Sequence, residues 1–329
     1  MKYISIVIFC LFISWNTTEG QNPYNATATN TSKADQNKRS SFAKSFKYIP
    51  MANWTAGMRF MIVPDRLKLD DRSNKLEIVP YRSRKSAVYV GIDQREFEWK
   101  EFTFVKIEQR KTRCDRAICK YCYIIFENEG RKYEYPYQGS IQELQKEKGL
   151  PFVSSLIYLN DIDKAKDQLI GKKMYLLTHE RFADNGEGGK LYTTDKKFVP
   201  VTVTNIGIGS RNNPVRIVYK DDLESPYYID ITLSGINTDQ GLKTVWFDDI
   251  FAMDDPKKDY PSIKEEFWIQ IQKGEIKEGM SKKECKLAWG EPLRTNDISR
   301  GAESLEQWVY KRNFLYFKDG LLESIQGYE

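Results

Sequence analysis

The chain is short of the residues that most chemistry needs. It has one histidine, His179, and five cysteines among 329 residues. A single histidine excludes a multi-histidine metal centre and leaves any nucleophilic cysteine only one imidazole base. The 51 Lys and Arg residues stand against 46 Asp and Glu, and both signs are spread along the whole length. No basic block marks a nucleic-acid-binding element, so the charge reads as an ordinary solvated surface. After the first twenty residues no run approaches the ~18 apolar residues of a membrane helix. There is no glycine–lysine phosphate loop and no EF-hand spacing. GIGSRNNP (207–214) reads as a hairpin turn, and NGEGGK (185–190) as a polar tip.

What is abundant is tyrosine and phenylalanine, 20 and 17 residues, a bias toward strands. The N-terminus has the layout of an export signal. Lys2 precedes the apolar ISIVIFCLFISW, and Thr18 and Gly20 supply small residues before Gln21. Cys10 lies inside the apolar run after bulky Phe9, which argues against lipidation. The expected organisation is a signal peptide at 1–20 and a disordered tether at 21–45, whose Asn, Thr, Ser and Lys content gives it little to bury. Asn25, Asn30 and Asn53 sit in N-x-S/T sequons, meaningful only in a eukaryotic secretory pathway.

Residues 46–250 read as short alternating strands with internal similarity. KEFTFVKIE (100–108) aligns with KKFVPVTVT (196–204), CYIIFEN (122–128) with VRIVYKD (215–221), and GMRFMIV (57–63) with GKKMYLL (171–177). Such pairs point to duplication, although strand-rich segments resemble one another through alternation alone. The expected fold is mainly β: two tandem small antiparallel barrels, SH3-like by analogy, at 46–150 and 172–255. Between them, 151–171 is expected to hold a linker helix with Leu156, Leu159, Ile162, Ala165 and Leu169 on one face and Gly171 at its end.

From 256 to 329 the pattern changes to an α+β domain. SIKE (262–265) and SKKE (281–284) each have capping-box spacing, and Cys285, Ala288 and Trp289 share one face of the second helix. Gly290 and Pro292 stop that helix. Three strands follow, with Asp319-Gly320 as a hairpin signal, giving two helices on a three-stranded antiparallel sheet. The stretches GMSKKECKLAWGEP, QWVY and LYFKDGLLESIQ resemble the BamE/SmpA (OmlA) outer-membrane-assembly family, whose fold recurs in beta-lactamase-inhibitor-like proteins. Gly279, Met280, Ser281, Gly290, Pro292, Trp308, Tyr310, Tyr316, Phe317 and Gly320 carry the likeness, over about one fifth of the chain. The overall layout resembles secreted envelope proteins of the Bacteroidetes.

Few residues invite a catalytic reading. Cys285, on a helix face with Ala288 and Trp289, reads as a buried apolar group. Cys114, Cys119 and Cys122 are spaced C-x4-C-x2-C, and in an exported chain they read first as a disulfide, Cys114 with Cys119 or Cys122. Three free thiols or a metal cluster are the alternatives. Asp221-Asp222, Asp248-Asp249 and Asp254-Asp255 read as solvated turn carboxylates, and His179 as a loop residue. No catalytic, metal or cofactor site is expected. The expected role is protein binding or scaffolding in the periplasm or at the outer membrane of a Gram-negative bacterium, with contacts around Trp308 and Tyr310. The alternatives are glycan or peptidoglycan binding, with Tyr133, Tyr135 and Tyr137 as a stacking platform, and, behind both, inhibition of a hydrolase.

Overall fold

The computed structural model describes residues 39–64, 78–81, 93–114, 117–137, 139–146, 152–153, 156–184, 190–239, 242–298 and 304–327. The segment expected to be a signal peptide and most of the one expected to be a tether lie outside these residues, as does most of the 185–190 tip. The structure is mainly β among the described residues, in three antiparallel sheets. Among the described residues no helix is long and apolar enough to cross a membrane.

The described chain starts with a short helix, α1 (Ser41–Lys44), capped by Ser40 and burying Phe42 and Ala43. The tether therefore ends earlier than its composition implies, because Phe42 and Phe46 supply enough apolar surface to anchor it. Strands β1 (Arg59–Ile62), β2 (Val79–Pro80), β3 (Glu101–Cys114), β4 (Ala117–Asn128) and β5 (Arg131–Tyr137) come next. After helix α2 (Ile141–Lys146), β6 (Leu156–Tyr158) completes a six-stranded sheet in the order β2-β5-β4-β3-β1-β6. Helix α3 (Leu159–Leu169) follows directly. It buries Leu159, Ile162, Ala165 and Leu169 as the periodicity requires, while Leu156 belongs to β6.

The second sheet holds β7 (Lys173–Leu176), β8 (Glu180–Asp184), β9 (Lys190–Thr194), β10 (Val199–Ile208), β11 (Val215–Lys220) and β12 (Pro226–Ile231). Helix α4 (Phe247–Ile250) leads into β13 (Phe251–Ala252), and the spatial order is β13-β7-β10-β11-β12-β8-β9.

The two sheets share more than strand order. β6-β1-β3-β4-β5-β2 runs parallel in topology to β13-β7-β10-β11-β12-β8, with a short helix before β6 and before β13. The β3–β4 ladder shifts register between Phe104 and Lys106, and the β10–β11 ladder shifts between Val203 and Asn205. Gly57 donates its amide to the Phe104 carbonyl at 3.0 Å and Gly171 to that of Val203 at 2.9 Å. Phe104 then donates to Met58 at 2.8 Å, and Val203 to Lys172 at 3.0 Å. Bulge and hydrogen bonds therefore match when β10 is set 99 residues after β3, whereas the sequence pairing used 96. The pairings of β1 with β7 and of β4 with β11 keep the offsets read from sequence, 114 and 93.

The halves are interlocked by their cores. The first sheet's core, built on Trp54, Phe60, Phe102, Phe104 and Phe126, takes in Ile236 from the second half. The second core takes in Phe42, Phe46, Val63 and Ile157 from the first, and α3 serves it as a packing layer rather than as a linker. Asn237 ties the junction with 2.7 to 3.0 Å bonds to the backbone of Val153 and Leu156.

The C-terminal region has α5 (Glu265–Lys273), α6 (Lys282–Trp289) and four strands, not three. These are β14 (Arg294–Asp297), β15 (Leu305–Val309), β16 (Asn313–Lys318) and β17 (Leu321–Gly327), in that order across the sheet. The extra strand, RTND, lacks apolar alternation because it is an edge with no buried residue. The SKKE capping box forms, with Ser281 and Glu284 exchanging both bonds. The SIKE box does not. The Glu265 carboxylate is taken by the Lys257 ammonium at 3.0 Å, and the helix begins after an uncapped Lys264.

Candidate functional site

At the end of β1 the chain departs on a long excursion and returns to β3 through a tight turn. The amide of Trp99 closes that turn on the Ile62 carbonyl at 2.8 Å, with φ at +63°. A bulky residue in the left-handed region is strained and persists only when its surroundings enforce it. Beneath it Phe97 is buried against Phe102 and Tyr133, so the indole of Trp99 stays at the surface, 57% exposed.

Beside Trp99 lies an open groove of about 490 Å³. Met61 of β1, Leu159 and Ile162 of α3 and Ile208 of β10 contribute its apolar lining, so both halves of the chain build it. Arg59, Glu101, Asp163 and Lys166 contribute the charge. Arg59 holds Glu101 through two bonds of 2.6 and 2.7 Å and reaches Asp163 at 2.7 Å, which joins β1, β3 and α3. The bond to Glu101 raises the Arg59 pKa, and in return Arg59 lowers that of Glu101. These paired charges orient and rigidify the wall. They do not supply a poised acid or base.

Phe198 occupies the matching position in the second sheet. Its φ is +54° and its amide donates to Leu176, the counterpart of Ile62. Here the aromatic is covered. Phe198 meets the edge of Trp268 of α5 at 5.8 Å, the Lys197 amide donates to Gln272 O at 2.9 Å, and Gln272 Nε2 donates to Phe198 O at 3.2 Å. Lys197 Nζ donates to the Ala288 carbonyl near the end of α6 at 2.9 Å, and burial lowers its pKa to about 8.

His179 lies in the β7–β8 loop, as its sequence context implies, but it is half-buried there and belongs to this second contact. Its Nδ1 lies 2.8 Å from the Asp195 carbonyl and must carry the proton there, which leaves a buried Nε2 facing Gly274. A Cβ at position 274 would lie 2.9 Å from that nitrogen, and Gly274 also has φ +72°, so glycine is required twice over. Burial, the largest influence, lowers the His179 pKa. Arg181, almost wholly buried, pairs with Asp221 at 2.9 Å and stiffens the same region.

The other candidates resolve into architecture. Cys285 is fully buried and its thiol is pushed up to about 12 by burial. Cys122 is buried and unbridged, so the alternative that pairs it with Cys114 is not formed; it lies opposite Gln109, well back from the hairpin tip. The register sets Cys114 opposite Ala117 and Cys119 opposite Thr112, and the side chains of 112–120 lie outside the described residues. Among the described residues no group of three His, Cys, Asp or Glu side chains is placed to hold a metal ion. Asp221 and Asp255 accept turn amides, Asp249 caps α4, and Asp248 accepts the Ser40 amide. The 207–214 segment is the β10–β11 hairpin, and its Gly207 and Ile208 line the groove.

Tyr133 is buried, and Tyr135 and Tyr137 pack against the same core, so they fill the first sheet and form no open platform. Trp308 is also buried, its ring tilted against that of Phe317 with centroids 4.6 Å apart, and Tyr310 donates to the Gly290 carbonyl at 2.8 Å. The other likeness positions act as punctuation. Gly279 and Gly320 have positive φ, Met280 is buried, Ser281 caps α6, and Pro292 follows Gly290 where the helix ends. No protein family, curated protein or solved structure matches the chain.

Proposed function

We propose that the chain is a non-enzymatic protein-binding scaffold of the cell envelope and that its binding surface is the Trp99 groove. The observation that carries this reading is an exposed tryptophan beside an apolar-lined groove rimmed by paired charges. That is the anatomy of a protein interface, in which Trp and Arg supply most of the energy and a polar rim excludes water. Matching strand order, matching bulges and matching hydrogen bonds support two copies of one small SH3-like barrel. The helix pair and meander at 256–329 support the likeness to the BamE/SmpA family, and the apolar N-terminal run supports export.

Glycan binding is the second reading, since an exposed tryptophan also stacks on sugars. The tyrosines that favoured it are core residues here, which weakens it. Co-sedimentation of the purified protein with isolated cell-wall sacculi separates the two. The expected result is that the protein stays in the supernatant. Pelleting that is lost in Trp99→Ala would replace the protein-binding reading with the glycan one.

A further inference from the structure

The occupied and open versions of one surface occur in the same molecule. On the second sheet, the left-handed aromatic Phe198 is covered by a helix that presents Trp268 to the ring and, one turn later, Gln272 to the backbone. Positions i and i+4 share a helix face, so one amphipathic helix makes both contacts. On the first sheet, the equivalent Trp99 has the same φ region and the same closing hydrogen bond, but it is exposed.

The adjacent residue differs in a way that defines the visitor. Lys197 meets a carbonyl near the C-terminal end of α6, the end of a helix that is partly negative. Its counterpart on the first sheet is Glu98, of opposite charge and half-buried. A group facing Glu98 must therefore be positive where the group facing Lys197 is negative. Within the groove Arg59 is engaged by both Glu101 and Asp163, and Glu98 stands next to Trp99 in the chain, beside the groove's exposed aromatic.

Resting on the reading of the Trp99 groove as a protein-binding surface, we propose that its occupant is an amphipathic helix of a partner protein. The helix lays an aromatic side chain on Trp99, offers a side-chain amide one turn later to the backbone around residues 98–99, and sets a Lys, an Arg or its own N-terminus against Glu98. A second copy of the chain is a poorer occupant, because its α5 is already committed to its own Phe198.

A displayed library of helix-forming peptides, panned on the full-length protein with Trp99→Ala as counter-selection, tests this. Expected winners carry an aromatic and an amide at i and i+4 with a basic residue nearby. They gain helical circular dichroism on binding and lose about tenfold or more in affinity against Trp99→Ala. Glu98→Lys, a charge reversal at a half-buried position, serves as the second variant and is expected to invert the preference from basic to acidic peptides. Winners that bind in a Trp99-dependent way but are extended or proline-rich would overturn the helix while leaving protein binding intact. No winners, or winners indifferent to both variants, would overturn the proposal. So would self-association of the whole protein abolished by Trp99→Ala, since it would make the occupant a second copy.

Discussion

Trp99 and Phe198 stand at the same place in two sheets, each in the left-handed region and each donating its amide to the last residue of the preceding core strand. One is covered by the C-terminal helices and the other is open. The difference lies outside the sheets, in what each aromatic has been given to touch.

That relationship separates stability from binding. Phe198→Ala removes a partly buried ring from the contact with Trp268 and is expected to cost about 1–3 kcal/mol. Trp99→Ala is expected to change stability by less than about 0.5 kcal/mol, because an exposed side chain is removed. Trp99→Gly relieves a left-handed strain of the order of 1 kcal/mol and is expected to be neutral or mildly stabilising. Urea denaturation of the three variants checks the order. A Trp99→Ala variant as unstable as Phe198→Ala would make Trp99 a structural residue.

Acid should loosen the contact at His179. Burial holds its folded pKa below the ordinary value of about 6.5, so folding favours the neutral ring. The stabilisation from this group is complete above the unfolded value and is lost as pH falls from about 6.5 toward the folded value. Thermal melts between pH 7.5 and 5 are expected to fall less steeply in His179→Gln than in the wild type. Identical slopes would show that His179 stays hydrated.

Cys122 and Cys285 are expected to resist alkylation in the folded protein at about pH 8 and to react fully in denaturant, because burial raises both thiol pKa values. Mass spectrometry of labelled, unreduced protein reads this directly. Recovery of Cys122 in a disulfide with Cys114 or Cys119 would contradict the structure.

Ser281→Ala opens the capping box of α6, where Ser281 accepts the Glu284 amide and Glu284 accepts the Ser281 amide. The expected loss is about 1 kcal/mol. Ser262→Ala, whose box does not form, is expected to cost less than half as much, and chemical denaturation distinguishes the pair. Equal losses would place α5's start at Ser262.

Strand content and helix punctuation were legible in the sequence because they depend on local rules. Alternation placed β3, β4, β10 and β11, and the three-residue spacing of Ser281 and Glu284 announced a helix start. What failed depended on tertiary competition. Lys257 captured Glu265, and two phenylalanines drew residues 41–46 out of an otherwise polar stretch into the core. The groove was hidden by a three-residue error. Matching Lys100 with Lys196 laid Phe198 on Phe102, a core residue, when its true counterpart is Trp99. An aromatic just before each strand was the available signal, and alternation masked it.

The most direct measurement is photo-crosslinking in cells that carry a benzophenone amino acid at position 99, 198 or 308, one position at a time. The expected result is a discrete protein adduct from position 99, with positions 198 and 308 giving only crosslinks within the chain. An adduct from 308 with none from 99, or cell-wall glycan alone at 99, would contradict the assignment of the Trp99 groove as the binding surface.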